Sequence, residues 1–329
     1  MKLNILKKGW IVLGSSALVL LGSLFISDGD YNNHPKLEPF IQEMVSEHQY
    51  DEKTLRALLS QAERKDSILE AIARPAERTK AWHEYRDIFI TKSRIERGKA
   101  FMQEHKETLA AAEAKYGVPK EVIAAIIGVE TFYGRNKGGY RVIDALSTLA
   151  FDYPKRPIFW RELKHYFVLV RKENLDPLAV KGSYAGAMGY GQFIPSSFLS
   201  YAVDFDEDGV KDIWDNPKDA IGSVAYYFKR HGWQTGQPVV DRVTLHNHGA
   251  DEYANQTLKL TATVQEWQQR GVNVPKGVDE QQDAQLFRYE LEDGMDYWLA
   301  YKNFYVITRY NHSRLYAMAV HTLSQALVQ

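Results

Sequence analysis

The sequence contains no cysteine, which excludes disulfides, thiolate metal sites, thiol nucleophiles and lipid attachment through an N-terminal cysteine. It lacks an excess of either charge: 41 basic against 42 acidic side chains leave a formal net charge of −1. No overall field therefore recommends DNA, RNA or an anionic membrane surface as the main partner. No internal repeat or low-complexity tract is found, and no Gly-Lys-Ser/Thr or GxGxxG loop is present to cradle a nucleotide. What remains is a chain of 329 residues, 45% hydrophobic and 25% charged, long enough to bury a substantial core and to split into more than one lobe. Aromatic residues make up 12%, with 20 Tyr and 7 Trp, and such rings serve both core filling and stacking on sugar faces.

One long apolar run is present. Lys2, Lys7 and Lys8 precede an uncharged stretch from Trp10 to Ile26, the pattern of an export signal or a membrane anchor. Its 17 residues stand at the lower edge of what spans a bilayer. The poor small-x-small pattern around Leu24 to Asp28 favours an uncleaved anchor over residues 1–29, basic end in the cytoplasm and body exported. A cleaved, secreted periplasmic form is the alternative.

After a polar break at Asp28 to Pro35, the spacing of apolar residues predicts helices almost continuously to about residue 234. Leu37, Phe40, Ile41, Met44 and Val45 form one stripe, and Leu55, Leu58, Leu59 and Ala62 another. Further helices are expected over Trp82 to Phe89, over Ile95 to Tyr116 with Gly117 as the stop, and from Pro119 onward. Near residue 238 the pattern changes. Val239 to Leu245, Leu258 to Val264, Ala284 to Leu291 and Tyr305 to Thr308 read as short strands between turn clusters, hence a small antiparallel β lobe over 238–310. Leu315 to Val328 reads as helix again, packing back on the body. The fold class is mainly α (α+β), with a helical lobe over 35–115 joined by the segment 311–329.

Three signals carry chemistry. The first is Glu130, which falls on one helical stripe with Ile123, Ile126 and Ile127, where a hydrophobe is expected. Burial and the negative end of the helix dipole both disfavour its ionised form, as a general acid requires; a buried structural glutamate is the alternative. The second is the run Gly182 to Ser197, dense in glycine and followed by a helix starting at Pro195. Ser183, Met188, Gln192 and Phe193 are candidates to line a groove there, although a tight helix connection would look the same. The third is Asp204-Phe-Asp206-Glu-Asp208-Gly209-Val210-Lys-Asp212-Ile-Trp-Asp215, which matches the EF-hand loop at positions 1, 3, 5, 6 and 9 with a Val210 carbonyl at 7. Asp215 stands where a longer Glu is usual, so Asp219 is an alternative last ligand. A structural Ca2+ is expected, and no organic cofactor.

Together these segments resemble the soluble or membrane-attached lytic transglycosylase B family of peptidoglycan-cleaving enzymes. The matching runs are Ala125 to Gly134, Tyr184 to Ser197, the acidic loop, Ala220 to Phe228 and Thr308 to Ser313. The resemblance implies a lysozyme-like core over 116–237 carrying the EF-hand-type loop, and a groove for glycan strands of alternating N-acetylglucosamine and N-acetylmuramic acid. By the same resemblance Glu130 matches the family's single acid, which yields a 1,6-anhydro sugar end. Groove residues correspond to Tyr85, Lys155, Arg156, Ser183, Gln192, Tyr227, Tyr305, Tyr310 and Asn311. Asp144 and Asp152 are the nearest candidates for a second carboxylate. Two rival readings are a hydrolytic muramidase of the same fold and a non-catalytic, calcium-dependent wall-binding module. An envelope location is implied, in the periplasm and attached to the inner membrane.

Overall fold

Side-chain caps set many of the helix starts. The computed structural model describes residues 31–73, 80–246 and 248–329. Asp51 accepts the Thr54 N–H at 2.7 Å and so opens the second of three leading helices, α1 (Leu37–His48), α2 (Glu52–Leu59) and α3 (Asp66–Ala73). There follow α4 (Trp82–Phe89), α5 (Lys92–Glu104), α6 (Lys106–Tyr116) and α7 (Lys120–Thr131). Thr91 caps α5 through the Arg94 N–H, and Gly117 stops α6 in the left-handed region at φ 74°. Next come β1 (Tyr140–Arg141), α8 (Val142–Asp152), α9 (Ile158–Lys172), β2 (Lys181–Gly182), α10 (Pro195–Tyr201) and α11 (Pro217–Arg230). The last stretch holds β3 (Val240–Leu245), β4 (Ala262–Thr263), α12 (Val264–Gln269), β5 (Val272–Asn273), β6 (Asp283–Leu291), β7 (Gly294–Ala300), α13 (Lys302–Tyr310) and α14 (Arg314–Val328).

Three apolar clusters organise these elements. The first gathers α4 to α7, α11, α13 and α14 around Ile123, Ile126 and Ile127. The second joins α1 to α3 with α8, α9 and α10. The third lies under the sheet, around Trp267 of α12. That sheet has the order β4-β6-β7-β3-β5, antiparallel throughout. A separate two-stranded ladder pairs β1 with β2, Tyr140 opposite Gly182, and ties the start of the glycine-rich run to the segment after α7. The protein is thus mainly α with a small antiparallel sheet, as the sequence pattern indicates.

Several boundaries differ from the sequence reading. The stretch 35–115 divides between two cores, because α1 to α3 present their stripe to α8 and α9 while α4 to α6 face α7 and α14. The helix expected over Ile95 to Tyr116 breaks at His105, whose φ of −106° leaves the helical range. The Tyr305 to Thr308 strand is part of α13, where Phe304, Ile307 and Thr308 are buried at spacings of 3 and 4; tertiary packing overrides its β-branched composition. Of Leu258 to Val264 only Ala262–Thr263 pairs as strand, and Val264 starts α12, closed by a capping box between Thr263 and Glu266. Among the described residues no helix is long and apolar enough to cross a membrane. The expected anchor over 1–29 lies outside the described residues.

Candidate active site

Residues Val122 to Val129 of α7 are all buried, and Glu130, the next to last residue of the helix, is half-buried. The stripe of Ile123, Ile126 and Ile127 therefore ends in a carboxyl that reaches the edge of the core rather than its interior. From α14, Tyr316 approaches it: the phenol donates to Glu130 Oε1 at 2.5 Å. Tyr316 is itself only 2% exposed. Burial, and then the charge of Glu130, push the Tyr316 and Tyr310 hydroxyls well above the ordinary tyrosine value, so both stay protonated as donors.

The turn after Glu130 is unusual. Phe132 and Tyr133 both lie in the left-handed region, at φ 52° and 58°, and Gly134 follows at 82°. For residues with a side chain this costs on the order of 1–2 kcal/mol each. Packing holds the turn: the Tyr133 ring fits against Gly98 and Gly128, where a Cβ would collide with it. Thr131 Oγ1 accepts the Gly134 N–H at 3.0 Å and sits 2.9 Å from the Tyr190 carbonyl. The Arg94 guanidinium lies over the Phe132 ring and donates to the Gly128 carbonyl.

The glycine-rich run faces this turn. Met188 and Phe193 exchange backbone hydrogen bonds at 2.9 Å, and the Tyr310 hydroxyl donates to the Gly191 carbonyl at 2.5 Å. A Cβ at Gly191 would come within 2.8 Å of that hydroxyl, so the close approach of α13 depends on glycine. Tyr227 on α11 donates to the Arg309 carbonyl at 2.6 Å, and its ring centre lies 4.7 Å from that of Tyr310. Gln192, half-buried at φ 50°, donates to the Gly189 and Lys137 carbonyls. Ser183 Oγ accepts the Ala185 and Ala187 N–H groups and so braces the loop.

Several expected groove residues are placed otherwise. Met188 is 0% and Phe193 3% exposed; both side chains belong to the second core and line no open surface, because the backbone bridge between them turns them inward. Tyr85 is likewise buried, in the first core, beside Tyr316, and Tyr227 is buried beneath Tyr310. Lys155 and Arg156 are exposed on the turn between α8 and α9, and Tyr305 is half-buried on α13. Arg156 and Asn311 line a cavity of about 840 Å³ that opens beside the start of α14. Asp144 is occupied by a two-pronged contact with Arg141, at 2.7 and 2.8 Å, and by the Glu63 N–H. Asp152 faces Tyr31, His34 and Arg64. Both sit with the second core, away from the Tyr316 contact. Tyr316 itself escaped the sequence reading; its only local signal is a tyrosine on the apolar face of the terminal helix, just after the Ser313 cap.

The acidic loop forms a compact turn. Carboxylate oxygens of Asp204, Asp206 and Asp219 lie within 4.8 Å of one another. Asp219 is fully buried and accepts the Phe205 and Asp212 N–H groups at 2.7 and 2.8 Å. Burial, reinforced by Asp206 and Asp204, pushes its carboxyl above the usual value despite those two bonds. Asp208 and Asp212 accept N–H groups within the turn, from Val210 and from Trp214 and Asp215. The Asp215 side chain is 84% exposed and pairs with Lys137 at 2.9 Å. A cluster of like charges around one buried member is a donor set of the kind hard divalent cations use.

Comparison with known proteins places these features in a family. The model of the transglycosylase SLT domain matches residues 32–325. Membrane-bound lytic murein transglycosylase B of Escherichia coli (strain K12) is 43% identical over 309 residues, covering 91% of this chain and 84% of that one. Among solved structures, the catenated lytic transglycosylase SltB1 from Pseudomonas aeruginosa is 49% identical with a TM-score of 0.88, covering 91% of this chain and 99% of that one. The lytic transglycosylase Slt35 of Escherichia coli, solved in complex with calcium, is 43% identical with a TM-score of 0.84, covering 92% and 95%.

Proposed function

This chain belongs to the transglycosylase SLT family and is a peptidoglycan lytic transglycosylase with a lysozyme-like fold, and we propose that Glu130 serves it first as general acid and then as general base. In the first step the Glu130 carboxyl gives its proton to the oxygen linking N-acetylmuramic acid C1 to N-acetylglucosamine, and the C1–O bond breaks. In the second, the resulting carboxylate takes the proton of the muramoyl 6-hydroxyl, whose oxygen closes on C1. No water is consumed, and the product carries a 1,6-anhydro end. A single carboxyl suffices for this sequence, whereas hydrolysing glycosidases use two at set separations.

The contact between Tyr316 and Glu130 carries the assignment. It holds one carboxyl at the edge of the core, beside the glycine-rich run, while Asp144 and Asp152 are committed to partners elsewhere. Gln192, Tyr310 and Asn311, with Lys155 and Arg156 on the facing turn, are the groove residues this reading favours; Tyr85 and Tyr227 support them from beneath. Ser183, Met188 and Phe193 act as braces of the loop.

The acidic loop is a calcium site in this reading. Asp204, Asp206, Asp208, the Val210 carbonyl, Asp212 and Asp219 supply its oxygens, with Asp219 rather than Asp215 completing it, since Asp215 turns outward to Lys137. A bound ion would neutralise the buried Asp219 carboxylate and its half-buried neighbours Asp204 and Asp206, and would take no part in bond breaking. A periplasmic body, attached to the inner membrane through residues 1–29, is the location this reading favours, since its substrate is murein.

Mass spectrometry of muropeptides released by the wild type and by Glu130→Gln tests the mechanism. The wild type is expected to release anhydro ends, one water lighter than reducing ends, and the variant to lose about 10³-fold or more in rate. Reducing ends alone, or an unaffected variant, would overturn it.

A further inference from the structure

We propose that the cavity enclosed by α4, the second half of α14 and the paired strands β3 and β7 is a second glycan site, which holds an N-acetylglucosamine unit of a murein strand other than the one being cut. The inference rests on the reading of the chain as a murein-cleaving enzyme and not on the role of Glu130. The cavity, about 430 Å³, has the size of a small-ligand site. Along α14 it is walled by Met318, His321, Thr322 and Gln325. These lie roughly 120–180° around the helix from Tyr316, so the cavity stands on the side of α14 turned away from the contact with Glu130.

Strand pairing builds the opposite wall. Asp296 and Trp298 stand two apart on β7 and so share one face of the sheet, and Arg242 of β3 is the register partner of Trp298. The Trp298 N–H is already given to Asp296 at 3.0 Å, which leaves its half-buried ring as what it offers a ligand. Trp82 of α4 is the complement: it also lines the cavity, and its N–H makes no hydrogen bond among the described residues. The side chains of Thr322 and Gln325 make none there either. His321 Nδ1 is sealed in the core, so only the other ring nitrogen can meet a ligand.

Charge in the cavity selects a neutral ligand. Arg86 and Arg242, the two guanidiniums that line it, already face Asp87 and Asp296 at 3.0 and 2.7 Å, and burial keeps the His321 imidazole uncharged near neutral pH. A pyranose meets these terms: its C–H face lies on an indole ring, and its hydroxyls bond to the Asp296 carboxylate and the Arg242 guanidinium, which as ionised partners hold them more strongly than neutral ones. The acetamido group then has the Trp82 N–H for its carbonyl and the Met318 thioether for its methyl. Of the two murein sugars, N-acetylmuramic acid bears a lactyl ether and a charged peptide, whereas N-acetylglucosamine bears neither, and the cavity suits the second. Murein is a net of many strands, so a weak grip on one raises the affinity for the polymer while another is cut.

The test titrates N,N′-diacetylchitobiose into the Glu130→Gln protein and follows the indole N–H signals of Trp82 and Trp298. Both signals are expected to shift saturably, and the pair of substitutions Thr322→Val and Gln325→Ala to weaken that binding roughly tenfold. The same pair should lower the affinity for insoluble murein about tenfold in a sedimentation assay. With Glu130 intact, it should leave kcat and KM unchanged on short soluble strands that fill the groove alone. Arg242→Met, at an exposed position, should act in the same direction. Indole signals that ignore the disaccharide, or that respond to acetate or phosphate in its place, would overturn the proposal. So would unchanged murein binding in variants that melt like the wild type, or an equal loss on short strands, which would trace the effect to the groove. If Glu130→Gln cut murein at the full rate, the assignment of Glu130 would fail while the indole titration still judged the cavity.

Discussion

The phenol of Tyr316 stands 2.5 Å from the Glu130 carboxyl, and a hydrogen bond to a charged group is worth about 1.5–3 kcal/mol. Tyr316→Phe removes that donor and keeps the ring that fills the core. Its kcat is expected to fall roughly 10- to 100-fold with KM nearly constant, while its melting temperature stays close to that of the wild type. A variant with full kcat would show that the contact does not position the acid. A contrasting change at the neighbouring turn separates chemistry from packing. The Tyr133 hydroxyl is buried without a hydrogen-bond partner, so Tyr133→Phe should leave stability unchanged or raise it by up to about 1 kcal/mol. The half-buried position of Glu130 at the end of α7 was legible from sequence because a charge interrupts a local helical stripe. The Tyr316 contact was not, because it arises from α14 meeting α7, 186 residues away along the chain.

Among the secondary elements, those read correctly are the ones whose period is local. The helix Trp82–Phe89 has the bounds its spacing indicates, and β3 and β6 differ from expectation by a single residue at one end. The misread segment Tyr305 to Thr308 has strand-like composition, and only its burial within the first core makes it helical. Buried groups at element ends set stability in ways the pattern does not show. Glu162 on α9 accepts the Ser196 N–H at 2.9 Å and its hydroxyl at 2.8 Å, holding the start of α10. Burial, the largest influence, opposes its charge, yet the nearby His165 ring, 3.8 Å away, and the two Ser196 bonds win and hold its carboxyl below the usual range. Glu162→Ala is expected to cost about 1–3 kcal/mol in a denaturant titration.

His321 on α14 gives a pH signature of the same kind. Burial lowers its imidazole from 6.5 to about 4, so between those values the unfolded chain binds a proton that the folded one refuses. Stability therefore rises with pH across this window: the contribution is complete above about 6.5 and is lost as the pH falls towards 4. The span corresponds to at most roughly 3 kcal/mol. Melting curves at pH 7 and pH 4.5 should diverge less for His321→Gln than for the wild type, and an unchanged divergence would remove this histidine from the acid response.

At the scale of the whole molecule, α11 joins what the loops alone would leave separate. Ile221, Val224 and Phe228 enter the first core and Tyr227 the second, and Tyr310 packs against both beside the glycine-rich run. The acidic loop leads directly into that helix, with Asp219 in its first turn. A cation there acts on the union of the two cores rather than on the reacting bond. Adding Ca2+ at a hundred times its Kd should stabilise the fold by about 2.7 kcal/mol, which for a chain of this size raises Tm by roughly 4 °C. Chelation should reverse the shift and leave kcat at 25 °C nearly unaltered. Asp219→Asn should abolish the response, whereas Asp215→Asn, changing an outward-facing side chain, should retain most of it. If chelation instead stopped turnover with no change in Tm, the loop would belong to the chemistry and not to the frame that carries Glu130.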